Sequence, residues 1–171
     1  AATATAVVSV TMFSGSTKAL LANVSVCPLR GFGTEALWLR PCLDLEAGQL
    51  TAHGSGRALV REARHLASTA PETAEQLLDL AGGRPGAIDG PMVTAAARLN
   101  DEAALESFRI VGTWLGYGIA DLAVILDPGT FVIAGGVSYA GDLLLEPAAQ
   151  AYLSRLSGRG HRPIADIVMG R

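Results

Sequence analysis

With 171 residues the chain is long enough for one ordinary domain or for a piece of a larger protein, and its start at Ala1 points to a processed or fragmentary chain. Half of the residues are hydrophobic, much of that share alanine, the best helix former, so the composition reads as a soluble, helix-rich globular protein. A formal net charge of −3 leaves no basic excess for a phosphate backbone, which argues against nucleic acid as a partner.

No apolar run reaches the ~18 residues of a membrane span, and no basic segment leads an apolar stretch at the N-terminus. No membrane association is therefore expected, and the expected location is cytoplasmic. Cys27 and Cys42 are too few and too far apart for a zinc cluster, whose ligand pairs sit roughly two to four residues apart. Two reduced thiols are the ordinary expectation and a disulfide between them the alternative. Asn23-Val24-Ser25 matches a glycosylation sequon, a triplet that arises often by chance.

In chain order, Ala6 to Val10 has the character of a short strand, and Leu20 to Val26 of a second strand or a helical turn. Arg30 to Leu50 sustains no period. From Ser55 onward the signals are regular. Ser55 is placed to cap a helix that carries Leu59, Val60, Ala63 and Leu66 on one face. Thr69-Ala70-Pro71-Glu72 has the pattern of a capping box for a second helix with Leu77, Leu78 and Leu80, which Gly82-Gly83 should stop. Asp89 is the expected cap of a third, short helix through Met92, Val93, Ala96 and Leu99.

The strongest helical signal runs from Glu102 to Leu126, with Asp101 as its cap. Leu105, Phe108, Val111, Leu115, Ile119, Leu122 and Leu126 form one apolar stripe, and Gly112, Gly116, Ala120 and Ala123 a second face of small residues. Each glycine costs about 1 kcal/mol of helix stability against alanine, so this face implies close packing on another backbone, or else tolerated imperfection. Asp127-Pro128-Gly129 ends the helix. Thr130 to Ala134 then reads as a buried strand. Gly135-Gly136 comes next, and Val137 to Gly141 leads into a helix over about Asp142 to Leu156 with Leu143, Leu144, Ala148, Ala151, Tyr152 and Leu156 on its apolar side. After Gly158-Arg159-Gly160, Ile164 to Met169 reads as a last strand.

The best place for chemistry is Phe131 to Ser138, where a strand empties into two glycines ahead of a helix. Glycines let a ligand approach the backbone, and a helix start presents unpaired N–H groups, the arrangement that nucleotides and phosphates use. The motif alone is weak, because a strand-to-helix turn often uses glycine for steric reasons only. The string is neither a Walker A loop nor a dinucleotide fingerprint. His53, His65 and His161 have no second ligand at metal spacing, so no metal site is expected. No serine lies in a nucleophile elbow, and Asn100-Asp101, between two helices, suits capping better than catalysis. No catalytic residue is assigned.

Ser55 to Ala63, Ile88 to Ala96, Trp114-Leu115-Gly116, Leu126-Asp127-Pro128 and Val132 to Ser138, in this order and spacing, resemble the C-terminal part of a glucokinase of the ROK (repressor, ORF, kinase) family. The resemblance covers about residues 53–171 and leaves 1–52 as an uncertain segment without a match. It implies an α/β chain, helix-rich, forming the C-terminal lobe of an actin-like, ribonuclease-H-like ATPase fold in which two lobes close around ATP and a hexose. It further implies magnesium, an aspartate base, and phosphoryl transfer to the sugar 6-hydroxyl.

Residues Ala134, Gly135, Gly136 and Val137 match the family's second nucleotide-contacting loop, usually Gly-Gly-Gly-Val-Ser. Ala134 replaces its first glycine, and the added methyl is expected to weaken nucleotide contact rather than abolish it. The N-terminal phosphate loop Asp-x-Gly-Gly-Thr-Lys has only the imperfect echo Phe13 to Lys18, which is best read as coincidence. The Asn-Asp pair that supplies the base, the sugar-binding Glu-x-Gly-His segment and the zinc-binding cysteine cluster have no counterpart, so zinc is not expected. Thr51 stands where the cluster's sugar-binding glutamate belongs, and the family's last helix is not found after Arg171.

Truncation, a frameshifted upstream segment or a fusion would each give this pattern. The expected function is that of a fragment of an ATP-dependent glucose kinase without catalytic competence of its own. The alternative is a non-catalytic nucleotide-binding or oligomerisation module, a homodimer motivated by the glycine face of the Glu102–Leu126 helix. A ROK repressor comes last, because neither a helix-turn-helix nor a basic patch is present.

Overall fold

A computed structural model of the chain describes residues 5–9, 23–27, 50, 52–158, 160 and 163–170. The Arg30–Leu50 stretch apart from Leu50, Cys42, Arg159 and His161 lie outside the described residues, as do the echo at Phe13 to Lys18 and Thr51.

Four strands form one mixed sheet in the order β2-β1-β3-β4: β1 (Thr5–Ser9), β2 (Asn23–Cys27), β3 (Thr130–Ala134) and β4 (Asp166–Met169). β1 pairs antiparallel with β2 and parallel with β3, and β3 pairs parallel with β4. The segment that suited either a strand or a helical turn is thus a strand. Between the hairpin and β3 the chain forms α1 (Gly56–Thr69), α2 (Glu75–Leu80), α3 (Gly90–Arg98) and α4 (Glu102–Leu126), and α5 (Asp142–Arg155) separates β3 from β4.

Three helix starts form as their sequences dictate. The Ser55 hydroxyl accepts from the Ala58 N–H at 3.2 Å and an Asp89 carboxylate oxygen from the Met92 N–H at 2.9 Å, each satisfying an orphan donor of the first turn. Asp101 does the same for Ala104 at 2.9 Å. The capping box expected at Thr69 does not form. Thr69 is the last residue of α1, and its hydroxyl donates back to the His65 carbonyl, a local partner that competes with capping. A 3₁₀ turn over Pro71–Thr73 intervenes, and Ala74, the N-cap residue of α2, has no side-chain acceptor to cap it; the Leu77 N–H of its first turn donates instead to Asp101. Gly82 and Gly83 stop α2 in left-handed conformations, with the Gly83 N–H returning to the Leu78 carbonyl at 2.8 Å. Leu99, expected on the face of α3, is its C-cap and is exposed.

α4 is the helix on which the domain is built. By length and composition alone it is long and apolar enough to cross a membrane, with a mean hydropathy of 1.4 over its best stretch, so the expectation that no apolar stretch reaches that length does not hold for this helix. Here α1, α3 and α5 pack on it. Phe108, Val111, Leu115, Ile119 and Leu122 are buried, whereas Leu105 and Leu126, at the two ends of the stripe, are not. The small-residue face carries α5 at backbone distance. A Cβ on Gly116 would lie 2.2 Å from the Ala148 carbonyl oxygen, and one on Gly112 would lie 2.7 Å from Pro147 Cγ. The glycines are therefore a packing requirement, and oligomerisation through this face is overturned because α5 of the same chain fills it.

β3 is buried on one side only. Phe131 and Ile133 face the helices, while Thr130, Val132 and Ala134 are half-buried, so the strand is not enclosed on both faces as its apolar run suggested. Phe131 meets Tyr152 of α5 edge to face at 6.3 Å, and the buried Tyr152 hydroxyl accepts from the Ala165 N–H at 3.1 Å just before β4.

On the outer face of α4, Glu106 and Arg109 form a two-pronged hydrogen-bonded ion pair one turn apart. The hydrogen bond from Arg109 holds the Glu106 carboxyl below its ordinary value, and the same bond raises Arg109. A lowered carboxyl value means that the pair contributes stability above the ordinary glutamate range and loses it as pH falls through the folded value. Because solvent screens the pair, the contribution is about 0.3 kcal/mol. Comparison of urea unfolding of the wild type and Glu106→Gln should show this small difference at neutral pH and none well below pH ~4.

Candidate functional site

The Gly135-Gly136 bend borders a cleft of about 400 Å³. One wall is α3, through Gly90, Pro91, Thr94, Ala95 and Arg98; the other is a 3₁₀ turn over Gly136–Ala140, through Gly136, Val137, Tyr139 and Ala140. Gly56 and Leu59 at the start of α1, with Phe108 of α4, complete the lining. Each wall has a local cause. Asp89 starts α3 beside the cleft by capping it, with Pro91 in its first turn, where a missing N–H costs nothing. Ser55 starts α1, which brings Gly56 to the edge.

Of the four residues singled out for nucleotide contact, Gly136 and Val137 line this cleft. A Cβ at Gly136 would meet nothing within 4 Å, so the backbone there is open to a ligand. Gly135 and Ala134 are not among the lining residues. Gly135 has φ 107° and ψ −173°, a conformation essentially reserved for glycine, and its carbonyl accepts from both the Ser138 N–H and the Ser138 hydroxyl. Its glycine requirement is thus met by the backbone turn itself. Ala134 faces the chain after β4, where a Cβ at Gly170 would come within 3.2 Å of its own.

The phosphate seat expected at the next helix start is not built as the sequence suggested. The five-residue 3₁₀ turn begins directly at Gly136, and α5 starts only at Asp142, whose carboxylate already complements the positive end of the helix dipole.

Several residues of the cleft carry no functional signal in the sequence. Thr94 and Ala95 belong to a block that resembles the family but point to no role there, and Arg98 lies just beyond it. The one local signal is the cap at Asp89, which places Gly90 and Pro91 at a helix start; nothing nearby says that this helix faces residues 136–140. Away from the cleft, His53 stacks on Trp114 at 4.6 Å, and Tyr117 meets Trp114 edge-on and lies under the Arg155 guanidinium. His65 is exposed on α1. Trp114-Leu115-Gly116 is therefore a packing unit: Leu115 in the core, Gly116 against α5, Trp114 on His53.

The sequence matches the ROK family over residues 46–170. It is 44% identical over 116 residues to the glucokinase of Streptomyces coelicolor, covering 68% of this chain and 37% of that protein. It is 35% identical over 112 residues to the glucokinase of Halalkalibacterium halodurans, covering 66% of this chain and 33% of that one. Among solved structures, the ROK family glucokinase from Streptomyces griseus in complex with glucose and AMPPNP superposes with a TM-score of 0.68 at 41% identity, over 70% of this chain and 38% of that one. The ROK hexokinase from Thermus thermophilus gives 0.54 at 25% identity over 71% and 36% of the two chains. The chain thus spans 33–38% of the length of these relatives. The shared architecture is the helix-rich α/β C-terminal lobe of the actin-like, ribonuclease-H-like ATPase fold.

Proposed function

The chain belongs to the ROK family, and on that premise we propose that it is the nucleotide-side lobe of an ATP-dependent sugar kinase, able to hold a nucleotide but not to phosphorylate glucose by itself. In this proposal residues 53–171 are the family lobe, 1–52 stand apart, and the parent enzyme transfers phosphate from ATP to glucose in the cytoplasm. Ala134, Gly135, Gly136 and Val137 form the nucleotide-side turn, with Gly136 and Val137 in contact and the other two shaping it. A homodimer would have to use a surface other than the glycine face of α4.

The observation that carries the proposal is the cleft at the Gly135-Gly136 bend, whose walls come largely, though not wholly, from the blocks that resemble the family. Its volume, about 400 Å³, and its apolar lining by Leu59, Pro91, Phe108 and Val137 suit a flat nucleoside base. The residues that line it include no carboxylate, so they do not fit a magnesium ion, and no step is assigned through one. Bound ATP would supply the transferable phosphoryl group. The chain's own residues would hold the base and exclude water from it. Phosphoryl transfer is accelerated by positioning and charge stabilisation. The phosphate loop, the aspartate base and the sugar-binding segments of the resemblance have no counterpart in this sequence, so the barrier stays high.

Titration calorimetry with AMPPNP, together with a coupled assay for glucose-dependent ADP formation, tests this. The wild type should bind AMPPNP, Gly136→Trp should lose that binding while melting cooperatively as the wild type does, and neither should make ADP when glucose is added. A folded wild type that ignores AMPPNP, or one that turns over glucose, would refute the proposal.

A further inference from the structure

We propose that Arg98 makes this cleft selective for phosphorylated nucleosides over bare ones, an inference that rests on the cleft being a nucleotide site. The lining changes character from inside to outside. Leu59, Phe108 and Val137 are buried at 3%, 1% and 7% exposure, whereas Tyr139, on the rim, is 84% exposed. Arg98 is the only charged side chain among the described lining residues, and it is exposed at the last position of α3. A cavity that is apolar within and cationic at its mouth is complementary to a ligand with a flat apolar end and an anionic end. A bare nucleoside satisfies only the first half of that description.

The guanidinium is held at the rim and is underused. Its Nη2 donates to the Tyr139 carbonyl at 3.3 Å, across to the opposite wall 41 residues away in sequence. A guanidinium carries five N–H donors, and among the described residues Arg98 makes this one hydrogen bond through its side chain. A long bond from the guanidinium to a neutral carbonyl is weaker than one to an anionic phosphate oxygen, where both partners are charged, so a phosphate at the mouth can share or displace it. The other polar side chain of the α3 wall does not compete for this task. The Thr94 hydroxyl donates to the Gly90 carbonyl at 3.1 Å within its own helix. Tyr139 contributes its carbonyl to Arg98 and leaves its ring at the mouth.

The test is titration of the full 171-residue chain with adenosine and with ADP, without added metal, at low and at high salt. The wild type should bind ADP about tenfold more tightly than adenosine, the size of one partly exposed charge-assisted contact, and the preference should shrink as salt rises. Arg98→Gln, which keeps an N–H donor but no charge, should bring ADP to the adenosine level and leave adenosine unchanged. Arg98→Lys should keep most of the preference. Equal binding of the two ligands by the wild type overturns the proposal while leaving the nucleotide cleft intact. Equal weakening of both by Arg98→Gln also overturns it, since Arg98 would then merely brace the walls. Binding of neither ligand overturns both this inference and the nucleotide reading of the cleft.

Discussion

Gly116→Ala should destabilise the fold by about 3 kcal/mol, visible as a lower denaturant midpoint and a melting temperature reduced by roughly 6–12 °C. In an isolated helix the same change would stabilise by about 1 kcal/mol, since alanine is the better helix former. The sign reverses because of what lies opposite. The added carbon would stand 2.2 Å from the Ala148 carbonyl oxygen, 2.7 Å from the Ala151 Cβ and 2.8 Å from the Tyr152 nitrogen. Two of these are backbone atoms of α5 and cannot rotate away, so the whole helix must retreat from α4. Gly118→Ala supplies the internal control. The nearest atoms to its new carbon would all belong to the Leu50 side chain, the two methyls at 2.7 Å and Cγ at 3.2 Å, which can turn aside. That variant should stay within about 1 kcal/mol of the wild type. Equal behaviour of the two variants would show that α4 and α5 are not packed at backbone distance.

Asp101→Ala should cost about 3 kcal/mol, far more than the loss of an ordinary surface cap. The side chain has two tasks. One carboxylate oxygen accepts from the Ala104 N–H at 2.9 Å and so starts α4; the other accepts from the Leu77 N–H of α2 at 3.0 Å. Asp101 is only 4% exposed, so water cannot replace either bond. Asp101→Asn keeps one acceptor and turns an amide toward the second donor, so it should recover part of the loss but not all of it. Urea unfolding of the three proteins measures the series. A cost for Asp101→Ala no larger than for Ser55→Ala, which removes one cap bond, would mean that the contact with α2 contributes nothing.

These two positions show how differently the two kinds of information are legible. Asp101 reads as a cap because capping involves neighbours three residues away. Its bond to Leu77, 24 residues upstream, has no trace in local pattern. Gly112 and Gly116 imply a closely approaching backbone, which is correct, but do not identify it as α5. Thr69 fits a capping box by residue type and spacing, yet its hydroxyl finds the His65 carbonyl of the preceding turn instead. The candidate site divides in the same way. Gly136 and Val137 are marked by a strand ending in paired glycines, whereas Arg98 carries no signal, because its importance comes from standing opposite Tyr139.

The amino-acid sequence by itself determined where α1, α3 and α4 begin, the central part of the buried stripe of α4 and that two of its glycines need a close neighbour, and it carried the family blocks. Each of these depends on hydrogen bonds or side-chain periods that span a few residues. The tertiary structure alone decided that α5 fills the glycine face, that β3 is buried on one side, and that α3 and the Gly136–Ala140 turn enclose a common cleft. Those outcomes depend on which distant surfaces meet, and no short stretch of chain records its partner's position.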